Sequence, residues 1–335
     1  MKKEWIIGSI VVVLITTGYI ANSYINNLIE TEVREGIEDS FEDLEYLFED
    51  MDSGVYIRYD IDNIHSSYLF STLIFEDFKF TLDNGYQALT IRFEKFTIST
   101  DFESLYDYAD ELIDVTTRSS EGLISNDVIN DVIYELANTI SKDYFHEITD
   151  LRIKVSDTFS VKIDTFIIDS SLNEYVDPSD ITFMLEEEYL YSLQASESKF
   201  VDIINDWIAI LPEGESSTII KGFSLYLSDS DVYEIFGVRN INVDSANFIF
   251  KRKNNLTQID AETLTNFAGN YKLNFEIDEE IENIVINSVA YDLNKIFRDL
   301  YSAIPFMEKH NRDSFTFEFD GSYERFSSFI LKNIN

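Results

Sequence analysis

The three histidines are the side chains of this sequence best suited to bind a metal or to move a proton near neutral pH. His65, His146 and His310 lie far apart along the chain, and none has a second histidine nearby. A metal site made of His65 or His146 with carboxylates stays open as an alternative, because imidazole and carboxylate both bind divalent metals. Since the close ligand spacing of a metal motif is missing, we interpret all three as structural or surface histidines.

Two acidic pairs have a spacing that suits a hard cation. The DxD pattern occurs at Asp60 with Asp62 and at Asp229 with Asp231. Neither pair has the glycine and the distal glutamate of a calcium loop. The chain carries 63 aspartates and glutamates, so that such pairs arise by chance. We interpret both pairs as solvated turns. For the same reason, a glycosidase-type pair of carboxylates has no specific signal here.

Sequence motifs of the common enzyme classes are absent. The sequence has no Walker loop, no GxGxxG after a strand, no GxSxG elbow and no HExxH. Cysteine is also absent, which excludes a disulfide, a thiol nucleophile and a thiolate metal site. We therefore predict no catalytic, cofactor-binding or metal-binding residues, no cofactor, and a protein that is not an enzyme.

The composition indicates a folded, strongly acidic protein. Hydrophobic residues make up 45% of the chain and aromatic residues 15%, which is enough for a substantial core. The formal net charge of −38 disfavours nucleic acid and anionic lipid heads, since like charges repel. The acids are scattered along the chain, which favours a role in solubility; an acidic surface that captures cations or basic partners is the alternative.

The N-terminus has the pattern of a membrane anchor. An apolar run over residues 5–21 follows the basic tail 1–4, and its length is close to the minimum for spanning a hydrocarbon core of about 30 Å. Lys2 and Lys3 precede this run and acids follow it, so the positive-inside rule puts the N-terminus in the cytoplasm. We predict a single-pass protein of the inner (cytoplasmic) membrane with an extracytoplasmic main domain. A cleaved signal peptide is the alternative.

A helical pattern continues beyond the predicted span. Apolar residues recur at steps of three and four over residues 22–53, and acids fill the other positions. We predict an acidic, amphipathic helical stalk over this range. The stalk either packs on its own domain, which is the preferred interpretation, or pairs with a second copy.

From residue 55 the pattern changes to strands. Residues 73–82 and 89–98 alternate between apolar and polar side chains, and Asp83-Asn84-Gly85 stands between them, which predicts a β-hairpin. One face of each strand is expected to carry the apolar side chains, namely Phe78, Phe80 and Leu82, and Leu89, Ile91 and Phe93.

The remaining chain alternates between strand and helix patterns. Predicted helices cover residues 102–113, 124–140, 179–193, 198–211 and 280–304. Further strands are predicted at 151–155, 161–168, 219–227, 241–250, 271–277 and 315–319. Three stretches look alike at a period of about 72 residues: 77–83, 150–157 and 222–229.

These elements predict an α+β fold over residues 54–335. Its antiparallel sheet is built from repeated ββα-like units with helices packed on one face, and it follows the N-terminal transmembrane helix and helical stalk. A subdomain break is expected either near residue 150 or at 212–214. The apolar sheet faces either form a closed core under the helices, which we favour, or line a groove for acyl chains.

The N-terminal third resembles two related kinds of bacterial envelope protein. After the basic start and the apolar run, residues 66–80 and 89–105 are similar to the YdgA-like family of uncharacterised, N-terminally anchored proteins. They also resemble the N-terminal region of AsmA and TamB-type proteins, although Asp77 replaces the glycine expected there and this chain is shorter and richer in predicted helix. The resemblance implies a periplasmic, membrane-anchored protein of non-enzymatic type.

The leading hypothesis combines these predictions. It describes a membrane-anchored, non-enzymatic envelope protein that binds a partner protein or a lipid through its extracytoplasmic domain and binds no nucleic acid. The alternatives are an exported hydrolase that uses carboxylates and a structural envelope subunit that self-associates. The sequence makes no prediction of the oligomeric state.

Overall fold

A computed structural model describes most of the sheet-forming part of the chain. The described ranges are 25–39, 41–42, 45–46, 55–67, 71–100, 143–155, 159–172, 211–227, 240–304, 306–311 and 313–334, with residues 23, 157, 201, 205 and 208. The chain divides into two compact units. The first is Met1–Ser141 with Phe145–Ile148, and the second is Lys142–Tyr144 with Thr149–Asn335.

In its described residues, the first unit is a small antiparallel sheet with a helix, α1, over residues 25–39; residues 41–42 and 45–46 are also helical. Its strands are β1 (Tyr56–Asp60), β2 (Asn63–Ser67), β3 (Thr72–Asp83) and β4 (Ala88–Thr100). Both β1 and β2 pair with β3, which pairs with β4 on its other edge.

The predicted hairpin of β3 and β4 is confirmed. The pairs across the two strands include Phe78 with Phe93, Phe80 with Ile91, and Leu82 with Leu89, as expected for one shared apolar face. Asn84 closes the turn because its side-chain oxygen accepts the backbone N–H groups of Tyr86 and Gln87.

Helix α1 packs on the sheet of its own unit. Its apolar face, Ile29, Val33 and Ile37, contacts a core made of Ile64, Leu73, Phe75 and Ile98. Glu30 accepts the backbone N–H of Ser66 at 2.7 Å, which satisfies a donor of strand β2. The preferred interpretation of this helix, packing on its own domain, is therefore confirmed for residues 25–39, and a projecting helical stalk is wrong there.

The second unit is a larger sheet. Its strands are β5 (Asp143–Val155, of which 145–148 belong to the first unit), β6 (Phe159–Leu172), β7 (Gly214–Leu227), β8 (Asn240–Lys253), β9 (Leu256–Thr265), β10 (Asn270–Asp278), β11 (Asn283–Tyr291), β12 (Glu308–Asn311) and β13 (Ser314–Ser322). From β6 onward the order is β6-β7-β8-β9-β10-β11-β13-β12, and every neighbouring pair is antiparallel.

Two helices cover part of the apolar face of this sheet. Helix α2 (Lys295–Ala303) lies against Ala290 and Phe315 through Phe297 and Tyr301. Helix α3 (Tyr323–Ile334) packs through Tyr323, Phe326 and Phe329 on a cluster formed by Ile277, Ile284, Ile286 and Phe319. The described core of the second unit thus sits under α2 and α3 and also includes Ile208, a helical residue outside both.

The predicted fold class is wrong. About 65% of the described residues lie in strands and 21% in helices, so antiparallel sheet dominates in place of repeated ββα-like units in an α+β fold. The predicted helices 102–113, 124–140 and 179–193 lie outside the described residues. Of the predicted helix 198–211, residues 201, 205 and 208 are described and are helical.

The transmembrane prediction also needs correction. No helix in the described part of the chain is long and apolar enough to cross a membrane, which leaves the signal anchor and the single pass unsupported. The predicted tail 1–4 and span 5–21 lie outside the described residues. The predicted localisation stays a prediction.

The predicted helix 280–304 is replaced by a turn, strand β11 and helix α2. Ile284 and Ile286 alternate with polar or smaller neighbours and are buried, as in a strand packed on one face. Their β-branched side chains favour the extended backbone. The helix starts only at Asn294, whose side-chain oxygen accepts the N–H of Phe297 at 3.1 Å. Helix α3, at the C-terminus, was not predicted.

The three similar stretches share a backbone feature that the sequence analysis missed. Their first residues, Asp77, Asp150 and Gly222, have positive φ angles of 52°, 49° and 63°. In β3, the left-handed Asp77 lies between Phe75 and Phe78, which are three residues apart. Both rings nevertheless stack on rings of β4, Phe75 on Phe96 and Phe78 on Phe93. The kink keeps both halves of the long strand apolar on the same face.

Candidate functional site

A cleft in the second unit is the candidate functional site. It has a volume of about 1040 Å³ and is formed where β6, β8 and β10 end and β7 and β9 begin. Antiparallel pairing brings these ends together, because Leu172 pairs with Gly214, Gly214 with Arg252, and Arg252 with Thr257. Residues distant in sequence therefore lie side by side at the same ends of these strands.

Gly214 allows β6 and β7 to approach closely at the wall of the cleft. Its φ of 129° lies in a region that side chains rarely adopt, and a Cβ there would come within 2.8 Å of the Cα of Leu172. A residue with a side chain would push the two strand ends apart.

The lining of the cleft carries charges of both signs. The acids are Glu213, Glu215, Asp278 and Glu280, and the bases are Lys251, Arg252 and Lys253. Lys251 forms an ion pair with Glu215 at 2.6 Å, while Lys253 has no ion pair with a described residue. Several charged side chains of the lining are thus available to a ligand.

Arg252 anchors one wall of the cleft. Its side chain is 12% exposed and forms an ion pair with Glu279 at 3.0 Å. Its Nη1 also donates to the backbone carbonyl of Ile208 at 2.6 Å and to that of Leu211. A buried guanidinium needs such partners, because an unpaired charge in the interior costs several kcal/mol. The wall is therefore held in one arrangement before any ligand binds.

The polar face of the sheet beside the cleft is largely paired within itself. Gln258 donates to Glu276 at 2.8 Å, and Asn274 donates to Asp260 at 2.8 Å. Such cross-strand pairs stabilise a sheet and leave few polar groups open for a ligand. The available charges of this face are concentrated at the cleft.

The histidines are spread over separate elements. His65 on β2 lies 3.4 Å from the carboxylate of Glu76, and both side chains are well exposed. His146 on β5 packs edge-to-face on Phe96, and His310 is exposed on β12. In the described ranges no group of three or more metal-binding side chains comes together. The alternative of a site from His65 or His146 with carboxylates gains no support there.

The pair of Asp60 and Asp62 does not line the cleft. Asp60 ends β1, where its backbone pairs with Lys79, and Asp62 is exposed in the turn before β2. Asp229 and Asp231 lie outside the described residues.

The groups with the largest pKa shifts lie in the apolar cores. Burial raises the pKa of Tyr271 to about 12, with a smaller contribution from Tyr301. Burial also raises the pKa of Tyr323 to about 12, helped by the charges of Glu279 and Glu282. Both tyrosines stay neutral at physiological pH, and their role is packing.

His146 makes the stability of the first unit depend on pH. Burial lowers the pKa of its imidazole below the ordinary value of 6.5, so that the unfolded chain takes up a proton more readily than the folded protein. The free energy of unfolding should therefore fall as the pH drops below about 6.5. In H146L this slope should shrink, as measured by urea unfolding between pH 7 and pH 5. An unchanged slope would contradict the prediction, and H310L, at an exposed site, is the control.

One signal in the sequence pointed to the cleft, although no prediction was based on it. Residues 251–253 form the one run of three consecutive basic residues in this acidic chain. Asn254 and Asn255 follow with φ angles of 51° and 65°, which is the pattern of a type I′ hairpin turn. The Asn-Asn pair could have indicated a hairpin turn before β9. The turn would have placed the basic run at the end of a strand.

Comparison of the chain with models of protein families, with curated proteins and with solved structures finds no match. The resemblance to YdgA-like and AsmA or TamB-type proteins stays a prediction. Function has to be argued from the cleft itself.

Proposed function

We propose that the protein is a non-enzymatic binding protein whose cleft in the second unit receives a segment of a partner protein. The observation that carries the proposal is the charged cleft at the strand ends, with a wall already held by the contacts of Arg252. A site that is formed before binding loses less entropy when a ligand binds.

The character of the lining favours a polypeptide over a small molecule. Small-molecule sites usually have volumes of about 300–1000 Å³ and are lined mostly by apolar side chains. The cleft lies just above that range, and seven of its lining residues are charged: Glu213, Glu215, Lys251, Arg252, Lys253, Asp278 and Glu280. Such a lining is suited to the polar groups of a protein segment.

A lipid is the second candidate ligand, and a different surface favours it. On the apolar face of the sheet, Phe248 is 44% exposed and Leu273 is 37% exposed. Both pair with Ala261 of the strand between them, so that they lie in one row across the sheet. Native mass spectrometry of the full chain purified without detergent tests this candidate, because a co-purifying phospholipid mass would favour lipid binding.

Photo-crosslinking in intact cells tests the proposed function. A benzoylphenylalanine is placed at Lys253, which is exposed and lines the cleft, or at Glu308, which is exposed on β12. The register puts Glu308 level with Lys272, at the opposite end of β10 from the cleft. We expect a discrete protein adduct from position 253 and none from position 308. Absence of an adduct specific to position 253 would contradict the proposal.

A further inference from the structure

We infer that the segment received by the cleft is basic, an extended stretch of polypeptide rich in lysine or arginine. This inference rests on the proposed function and adds the chemical class of the partner. Its starting point is the balance of charges that remains in the cleft after the internal ion pairs are taken into account.

The internal ion pairs remove most of the positive charge from the lining. Lys251 is paired with Glu215, and Arg252 is paired with Glu279 beneath the wall. Lys253 is then the one lining base without an ion pair to a described residue. Three acids of the lining remain outside these ion pairs: Glu213, Asp278 and Glu280. The remaining charge of the cleft is therefore negative.

The positions of these acids suit a chain carrying several separate positive charges. Glu213 precedes β7 and Glu280 follows β10, so that β8 and β9 lie between them in the sheet. Neighbouring strands are about 4.8 Å apart, which puts the two backbones well over 10 Å from each other. In the described part of the chain no three potential ligands are close enough to hold a metal ion. An extended segment can place one basic side chain near each acid.

The charge of the whole protein acts in the same direction. A formal net charge of −38 attracts a basic partner from a distance and repels an acidic one. It also disfavours a second copy of this chain as the occupant. The local and the overall electrostatics thus select the same class of partner.

Peptide binding to the purified full chain tests the inference. The probes are a fluorescein-labelled peptide of alternating lysine and serine and its counterpart with glutamate in place of lysine, followed by fluorescence anisotropy. We expect the basic peptide to bind, with an affinity that falls as salt is added, and the acidic peptide not to bind. The double variant E213Q/E280Q should weaken binding about tenfold.

A matched double variant separates the cleft from the general charge. E94Q/E308Q removes the same two charges at exposed positions outside the cleft, and its affinity should stay within about twofold of the parent. An equal loss in both double variants would overturn the inference, as would a failure of the basic peptide to bind. Displacement of the peptide by an equal concentration of spermidine would overturn the polypeptide class.

The two proposals can fail independently. A specific adduct from position 253 together with no binding of the basic peptide would leave the cleft as a protein-binding site and remove only the basic partner. Peptide binding that depends on Glu213 and Glu280 without an adduct in cells would contradict the proposed function while supporting the charge preference of the cleft.

Discussion

Replacing Ile284 with alanine is expected to lower the free energy of unfolding by about 2–5 kcal/mol. Ile284 is 1% exposed on β11 and belongs to the core cluster under helix α3. Truncating it removes apolar contacts and leaves a cavity that the surrounding residues fill only in part. Urea unfolding followed by circular dichroism measures the loss.

Ile281 provides a matched control for this variant. It lies three residues earlier, is 68% exposed in the turn before β11, and its replacement by alanine should change stability by about 0.5 kcal/mol or less. In a helix over 280–304, the two side chains would share one face and the two variants would behave alike. Equal effects would therefore contradict the strand and favour the predicted helix.

Gly222→Ala is expected to destabilise the second unit by about 3 kcal/mol. The φ angle of Gly222 is 63°, and a residue with a side chain adopts this left-handed backbone at a free-energy cost of about 1 kcal/mol. A Cβ would also run into the carboxylate of Asp164 on the paired strand β6. Urea unfolding gives the total loss, and hydrogen exchange of β6 and β7 locates it.

Two further variants separate the backbone cost from the clash. Gly85 has a similar φ of 78°, but nothing lies within 4 Å of a Cβ built there, so Gly85→Ala should cost only about 1 kcal/mol. The double variant G222A/D164A removes the carboxylate but keeps the Cβ of residue 164, which lies 2.9 Å from a Cβ at position 222, so it should recover part of the difference. Equal losses for Gly85→Ala and Gly222→Ala would show that the contact with Asp164 has no effect.

Local patterns predicted some elements well. The β3–β4 hairpin follows from two alternating runs around Asn84-Gly85, because the turn and the alternation are both properties of neighbouring residues. The apolar face of residues 25–39 was also recognised from its spacing. The spacing alone does not show what this face contacts, since an amphipathic helix has the same pattern whether it packs on its own sheet or on another chain; packing on its own domain was the preferred interpretation.

Other elements were misjudged because two patterns compete over short distances. Residues 280–304 contain apolar side chains at both helical and alternating spacing. The pairing of β11 with β10 and β13 decides between the two, and this pairing is not visible in the local pattern. The left-handed backbone of Asp77 and Asp150 could not be predicted from neighbouring residues for a similar reason. Aspartate is tolerated in that conformation, but only the strand register requires it there.

Composition and short-range patterns account for the charge of the protein, for the alternation in most of its strands, and for the absence of common catalytic motifs. These properties depend on composition and on residues a few positions apart. The fold of the second unit brings Glu213, Lys253 and Glu280 around one cleft and pairs the largely buried Arg252 with Glu279. Those positions depend on the register of strands far apart in the chain, and register is set by the packing of whole apolar faces.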